Sequence, residues 1–338
     1  MRFESLTDLT RLPWFALRDG RLVLADQTVP RAIDFHVHLA LSYGPLGGVD
    51  LQASAPQTRW YLPHDRPFDL DIYANKNFSE EDLKNLRFDM GVCCVTPFGM
   101  RRTHTVANLL RDSAEHGVES SVLLAIEFPF SSRITRDWGK AIAGHPEMVL
   151  YGSVHPWTPN LKWALDRQLA LGIRGLKLHP AVQMFPPDDP RALRLYRLCG
   201  ERGVPIIFHC GPVDIELPIG RRMSQVRLYA RGIEENPGTT FILGHSGALQ
   251  MEEALALAVK HPNVWLELSS QSLPNVKTIL AEADPARIVF GSDWPFYPQA
   301  LVMAKVLIAT EGKPELRRRV LRENAERLLK LRPGAPAV

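Results

Sequence analysis

The sequence predicts an α/β protein: a (β/α)₈ barrel, the TIM-barrel fold, with a small N-terminal β appendage and a long insertion after the first strand. Three observations predict it. Eight short apolar runs recur along the 338 residues, helical patterns separate most of them, and five of the runs end in histidine, lysine or aspartate. Strands alternating with helices build a parallel sheet, and right-handed crossovers close eight such strands into a barrel. A barrel of this kind collects residues from the carboxyl ends of distant strands at one mouth.

Residues 14–30 hold FALRDG and RLVLAD, two short alternating runs around Asp19 and Gly20 that read as a β-hairpin. The hairpin belongs to an appendage over residues 1–30, and the barrel occupies 31–338. Strand candidates follow at 32–38, 121–127, 148–155, 173–179, 205–210, 240–245, 263–269 and 287–293. NLLRDSAEHG before the second strand, EEALALAVKH before the seventh and LRRRVLRENAERLLKL after the eighth carry helical periodicity. The segment 40–110 is far longer than an ordinary βα loop. It is rich in Pro, Asp and aromatics, among them Trp60, Tyr61, Pro63, Pro67 and Phe68, so packed irregular structure is expected, as a lid or substrate wall. A ninth strand-like run, GVCCVTPF at 91–98, is assigned to this segment and not to the barrel.

Composition narrows the function. Lys and Arg number 40 against 37 Asp and Glu, a net of +3 that is too small and too scattered for a nucleic-acid surface. No apolar stretch reaches the roughly 18 residues of a spanning helix. The charged segment from Met1 to Leu12 lacks the apolar centre of a secretion signal. Cys93, Cys94, Cys199 and Cys210 show no paired ligand spacing and read as free thiols. The expectation is a soluble cytoplasmic protein that takes a small-molecule substrate, binds neither nucleic acid nor membrane, and is free to form a homo-oligomer.

The polar strand ends carry the chemistry. His36 and His38 flank one valine in IDFHVHL, so on an alternating strand both imidazoles face the barrel interior at its rim. Inward polar groups after Ile33 and Phe35 cost stability unless something pairs them. Asp34 is expected one layer deeper on the same face, orienting a ligand histidine. His209 closes PIIFHCG and Asp293 closes RIVFGSDWPF; with the first pair they make three imidazoles and one carboxylate, a set suited to zinc or a similar divalent ion. His245, ending TFILGHSG, suits acid/base work beside a metal-activated water, with Asp293 as the other proton carrier, and also suits a fifth ligand position. Lys177 in GLKLHP reads three ways: carboxylated by CO₂ and bridging two metals, paired with acidic neighbours, or touching substrate. His179, nearer the rim, is expected to face substrate. Glu127 and His155 are read as structural, and Arg101, Arg102, Arg221 and Arg222 are candidates for a substrate carboxylate.

Taken in order, IDFHVH, GLKLHP, IIFHCG, ILGHSG, VFGSDWPF and RENAERLLKL resemble the amidohydrolase superfamily. The likeness is to the amidohydrolase-related branch, which includes aminocarboxymuconate-semialdehyde and resorcylate decarboxylases. The resemblance implies that His36, His38, His209 and Asp293 hold metal, that His245 serves acid/base chemistry or a second metal, and that Lys177 is like the carboxylated lysine of dihydroorotase-type members. In the decarboxylase branch that position generally does not ligate. The expected function is a metal-dependent hydrolase, most simply with Zn²⁺, cleaving an amide, lactone or related C–N or C–O bond. The alternative is a nonoxidative decarboxylase of an aromatic or unsaturated carboxylic acid, and a catalytically silent barrel is a third reading. The length of 40–110 and the segment before residue 31 depart from the branch's pattern.

Overall fold

The computed structural model describes residues 1–43, 48–128 and 133–330. The eight expected runs form one parallel sheet: β1 (Ala32–Val37), β2 (Val118–Leu124), β3 (Met148–Gly152), β4 (Gly175–Leu178), β5 (Ile206–His209), β6 (Phe241–Gly244), β7 (Val264–Glu267) and β8 (Ile288–Val289). Neighbours in sequence are neighbours in the sheet. The two edges meet through Val37 and Trp294, supported by His38 N–H donating to Trp294 O at 2.8 Å and Asp293 N–H to His36 O at 2.8 Å. The fold is therefore a TIM barrel. Expected strand 121–127 begins three residues early, at Val118, and the last residue of the terminal motif, Leu331, lies outside the described residues.

The interior is a cluster drawn from seven strands, including Ile33, Phe35, Val122, Leu124, Val149, Tyr151, Ile207, Ile242, Trp265 and Val289. Burying each such side chain contributes about 1.5–3 kcal/mol. The remaining strand, β4, supplies Lys177, which pairs in register with Ile207 and is fully buried. An ammonium at this depth stands where every other strand places hydrocarbon, so it needs partners in the layer above.

Strand β1 is irregular, and the irregularity redirects its side chains. Its register against β2 shifts between Asp34 and Val37. A bulge lets two successive residues leave the strict alternation. Phe35 thus joins the interior cluster while His36 and His38 also face the cavity.

The hairpin at Phe15–Arg18 and Arg21–Leu24 forms as expected, with Asp19 and Gly20 both at positive φ (50° and 74°), the geometry of a tight hairpin turn. Its Phe15 and Leu22 share an apolar cluster with Leu109 of the helix α2 (Val106–Glu115) that precedes β2. Arg2–Phe3 pairs with Phe68–Asp69, tying the N-terminus to the insertion.

Within the insertion a helix, α1 (Glu80–Gly91), is closed by a capping box between Ser79 and Asp82. The strand-like run 91–98 is not a strand: Cys93–Val95 form a 3₁₀ turn. Its carbonyls find a different partner. The buried Arg101 guanidinium donates to Cys93 O at 2.6 Å and to Thr96 O, and also to Leu41 O at 2.5 Å, so no sheet ladder is needed. No helix among the described residues is long and apolar enough to cross a membrane.

Candidate metal centre and cavity

Donor atoms of His36, His38 and Asp293 lie within 4.8 Å of one another. The tautomers of both histidines follow from their partners. His36 Nδ1–H donates to Glu267 Oε2 at 2.7 Å and His38 Nδ1–H to Leu124 O at 2.9 Å, so on both rings Nε2 carries the lone pair. Each Nε2 stands 3.6 Å from Asp293 Oδ1. Ligand atoms bonded to one tetrahedral ion at zinc-like bond lengths are about 3.3 Å apart, so the trio has nearly the spacing a cation requires.

Electrostatics favour the same occupant. Burial holds His36 well below its ordinary value and His38 down to about 3, which keeps the imidazoles neutral and ready to ligate. Burial raises Asp293 well above the usual carboxylate range even though Lys177 opposes it. A carboxylate so poorly compensated by its own chain is one that a bound cation would restore to the ionised form. Its backbone is also unusual: Asp293 adopts φ 61°, and Phe296 N–H donates to its carbonyl at 2.8 Å. The residues present fit a divalent ion.

Around the trio the other polar strand ends interlock. Lys177 Nζ donates to His36 Nε2 at 3.1 Å. Burial pulls the lysine down to about 8, with Asp293 and Glu267 acting the other way. His245 is bracketed by Ser269 Oγ at 2.8 Å from Nδ1 and by His209 Nδ1 at 3.0 Å from Nε2. His209 stacks flat on His179, with centroids 4.0 Å apart. His179 Nδ1 accepts from Val182 N–H at 3.4 Å, placing its proton on Nε2. Burial lowers His179, His209 and His245 well below the ordinary histidine value.

Every site residue expected from the sequence, namely His36, His38, Lys177, His179, His209, His245 and Asp293, lines one cavity of about 210 Å³. The insertion builds much of its wall with Leu41, Tyr43, Tyr73, Asn75, Leu86, Arg87 and Met90. Asn75 locks this wall to the barrel, accepting from Tyr297 Oη–H and donating to Val213 O at 2.8 Å.

Two expectations need correction. Asp34 does not orient a ligand histidine side chain: beyond the register shift its carboxylate accepts from Ser292 N–H and Oγ–H and from Gln299 Nε2. Glu267 does that work instead, bonding His36 Nδ1, His245 N–H at 3.0 Å and Ser269 Oγ at 2.8 Å. A lone carboxylate in the apolar run VWLEL was the available signal. Arg101 is buried scaffolding and Arg221 pairs with Asp214, while the arginine that lines the cavity is Arg87, which the sequence did not single out. Glu127 accepts from Thr135 N–H at 2.8 Å, and His155 donates to Gln183 O at 2.7 Å, both away from the metal trio.

A TIM barrel whose carboxyl rim converges on histidines and an aspartate defines an enzyme scaffold of the amidohydrolase superfamily. The amidohydrolase family model matches residues 33–331, and the chain belongs to that family. No curated protein matches the sequence. Among solved structures, the chain is similar to an uncharacterised TIM-barrel protein from Bordetella bronchiseptica (TM-score 0.62, 19% identity, 88% of this chain and 98% of the other). It is also similar to 5-carboxyvanillate decarboxylase from Novosphingobium aromaticivorans complexed with manganese and 4-hydroxy-3-methoxy-5-nitrobenzoic acid (0.61, 15%, 90% and 97%). A third is a probable 2-pyrone-4,6-dicarboxylic acid hydrolase from Acinetobacter baumannii (0.51, 13%, 89% and 100%). At these identities the likenesses establish the fold.

Proposed function

We propose that the protein is a metal-dependent hydrolase that cleaves an amide, lactone or related C–N or C–O bond of a small molecule. The observation that carries this reading is the place of Lys177, within hydrogen-bond reach of His36 Nε2. A protonated lysine there competes with any cation for the same lone pair. A neutral amine, accessible from a pKa near 8, attacks CO₂, forming an N–C bond and releasing one proton. The resulting carbamate would turn a competing charge into a ligand and add negative charge beside a divalent ion. That arrangement serves hydrolysis; a decarboxylase has no need of it.

When bound, a divalent ion supplies Lewis-acid polarisation of a carbonyl and acidifies adjacent water. We assign zinc on the preference of imidazole-rich sets; His36, His38 and Asp293 would hold it, with His209, which lines the same cavity, as the fourth ligand. His245, neutral and bracketed by Ser269 and His209, takes up a proton during attack and yields it to the leaving group, with Asp293 sharing the transfer. His179 donates from Nε2 to a substrate oxygen. The four cysteines are free and buried, which supports a cytoplasmic setting.

The nonoxidative decarboxylase reading draws on two observations: a cavity whose walls are mostly apolar and aromatic, a setting that favours losing a carboxylate, and the structural similarity to 5-carboxyvanillate decarboxylase. Metal-loaded enzyme incubated with lactones, amides and aromatic acids, with acid release and CO₂ followed together, separates the two. Hydrolysis without CO₂ is expected; CO₂ without hydrolysis overturns the proposal.

A further inference from the structure

His245 begins a stretch of backbone that side chains rarely adopt. His245, Ser246 and Ala248 take φ 55°, 44° and 50°, around Gly247 at 83°. Each non-glycine residue held there costs about 1–3 kcal/mol, so the turn persists only because its surroundings over-determine it. Strand β7 fixes one side: His245 N–H donates to Glu267 Oε2 at 3.0 Å and Ser246 Oγ–H to Glu267 O at 2.8 Å. On the other side stands a single amide. Gln271 is fully buried, and its Nε2 donates to His245 O at 2.6 Å and to Ala248 O at 2.8 Å, bridging the two ends of the turn. Asn275 Nδ2 donates to Gln271 Oε1 at 2.8 Å, which keeps the amide's donors aimed at the turn. Lys305, from the helix Gln299–Ala309, is also fully buried and donates to Gln271 O at 2.6 Å. No carboxylate pairs with it among the described residues. A buried ammonium without a counter-charge costs stability, so core packing does not account for a lysine at this position.

We infer that Gln271 is a positioning residue for His245, anchored by Lys305, and that the two hold the imidazole in one tautomer. The place of the proton follows from the hydrogen bonds. Ser269 Oγ–H donates to Glu267 Oε2 at 2.8 Å, so the same oxygen accepts from His245 Nδ1–H at 2.8 Å and Nε2 keeps the lone pair that receives a proton. The inference rests on the proposed function only in giving that lone pair a proton to carry. A shift of about 1 Å in a reacting group costs on the order of a hundredfold in rate, so a clamp outside the cavity lining still governs turnover.

The test reads the ring itself, so it stands apart from which bond is cleaved. In zinc-loaded protein carrying ¹⁵N-labelled histidine, NMR gives the shifts of both His245 nitrogens, assigned by their loss in His245→Asn. The wild type should show two separate shifts, a protonated Nδ1 and an unprotonated Nε2. Gln271→Met, which keeps the length and removes both donors, should average the two shifts and lower turnover of the panel's reactive substrate about a hundredfold at unchanged zinc content. Lys305→Met exchanges the buried cation for hydrocarbon of similar length, so it should fold at least as stably, yet it should move the shifts the same way and lower turnover about tenfold. Val306→Ala, a packing loss at a buried position on the same helix, should lower melting temperature and leave the two shifts separate. A wild type without the separate shifts, or separate shifts that persist in Lys305→Met or in folded Gln271→Met, overturns the assignment. Failure of the hydrolase reading instead appears as CO₂ release with the wild-type shifts intact.

Discussion

The two halves of the cavity are built on opposite plans. The barrel half consists of side chains at strand ends that are buried and bonded to one another: Glu267 fixes His36 and the backbone of His245, Ser269 fixes His245, and Leu124 fixes His38. The insertion half consists mainly of apolar and aromatic side chains on a short helix and single turns, with one charged side chain, Arg87, that pairs with no acid among the described residues. Positions set by a closed sheet hold reacting groups to the tolerance chemistry needs, whereas irregular segments vary shape and charge without disturbing the sheet. The contrast assigns reaction to the barrel and selection to the insertion.

Substitutions break or sharpen that division. The largest effect is expected at the trio: His38→Ala and Asp293→Asn should lose bound metal and reduce turnover by about a thousandfold or more, read by elemental analysis after dialysis beside steady-state kinetics. His245→Asn should keep its metal yet lower kcat by roughly 10²–10⁴; full activity would remove His245 from proton transfer.

Acid should act on the insertion's buried histidine, His104. Burial pulls His104 down to about 4, while its Nε2–H donates to Arg59 O at 2.9 Å. Because the folded value lies below the ordinary 6.5, the unfolded chain takes up the proton first. The stabilising share of this residue is whole above pH 6.5 and drains away as pH falls toward 4, on the order of 3 kcal/mol. His104→Gln, able to donate to the same carbonyl, should lose correspondingly less stability over that window in denaturant titrations.

Smaller effects follow at the supporting groups. Glu267→Gln should weaken metal affinity by about 10–100-fold, whereas Asp34→Asn should lower melting temperature with metal affinity unchanged; the reverse pattern would restore the expectation drawn from sequence. At the wall, Met90→Ala should raise KM about fivefold with kcat nearly constant. A fall in kcat there would dissolve the separation between reaction and selection.

Much of the fold was legible because each barrel strand is a short apolar run closed by a turn, and much of the candidate site because its polar residues interrupt those runs at their ends. What stayed hidden has identifiable causes. The side on which Asp34 lies depends on a register shift that alternation cannot express. Residues 91–98 carry the composition of a strand, but Arg101, close in sequence, claims their carbonyls. Arg87 looks like any solvated helix arginine until the helix is docked over the barrel mouth. Glu267 was hidden by its surroundings, since one acid in VWLELSS gains meaning only when His36 is brought to 2.7 Å from it.

The most direct measurement is anomalous diffraction at the zinc edge from crystals of protein loaded with stoichiometric metal. The account predicts a peak at bonding distance from His36 Nε2, His38 Nε2 and the Asp293 carboxylate. A peak bound elsewhere on the chain, with these three side chains unligated, would contradict it.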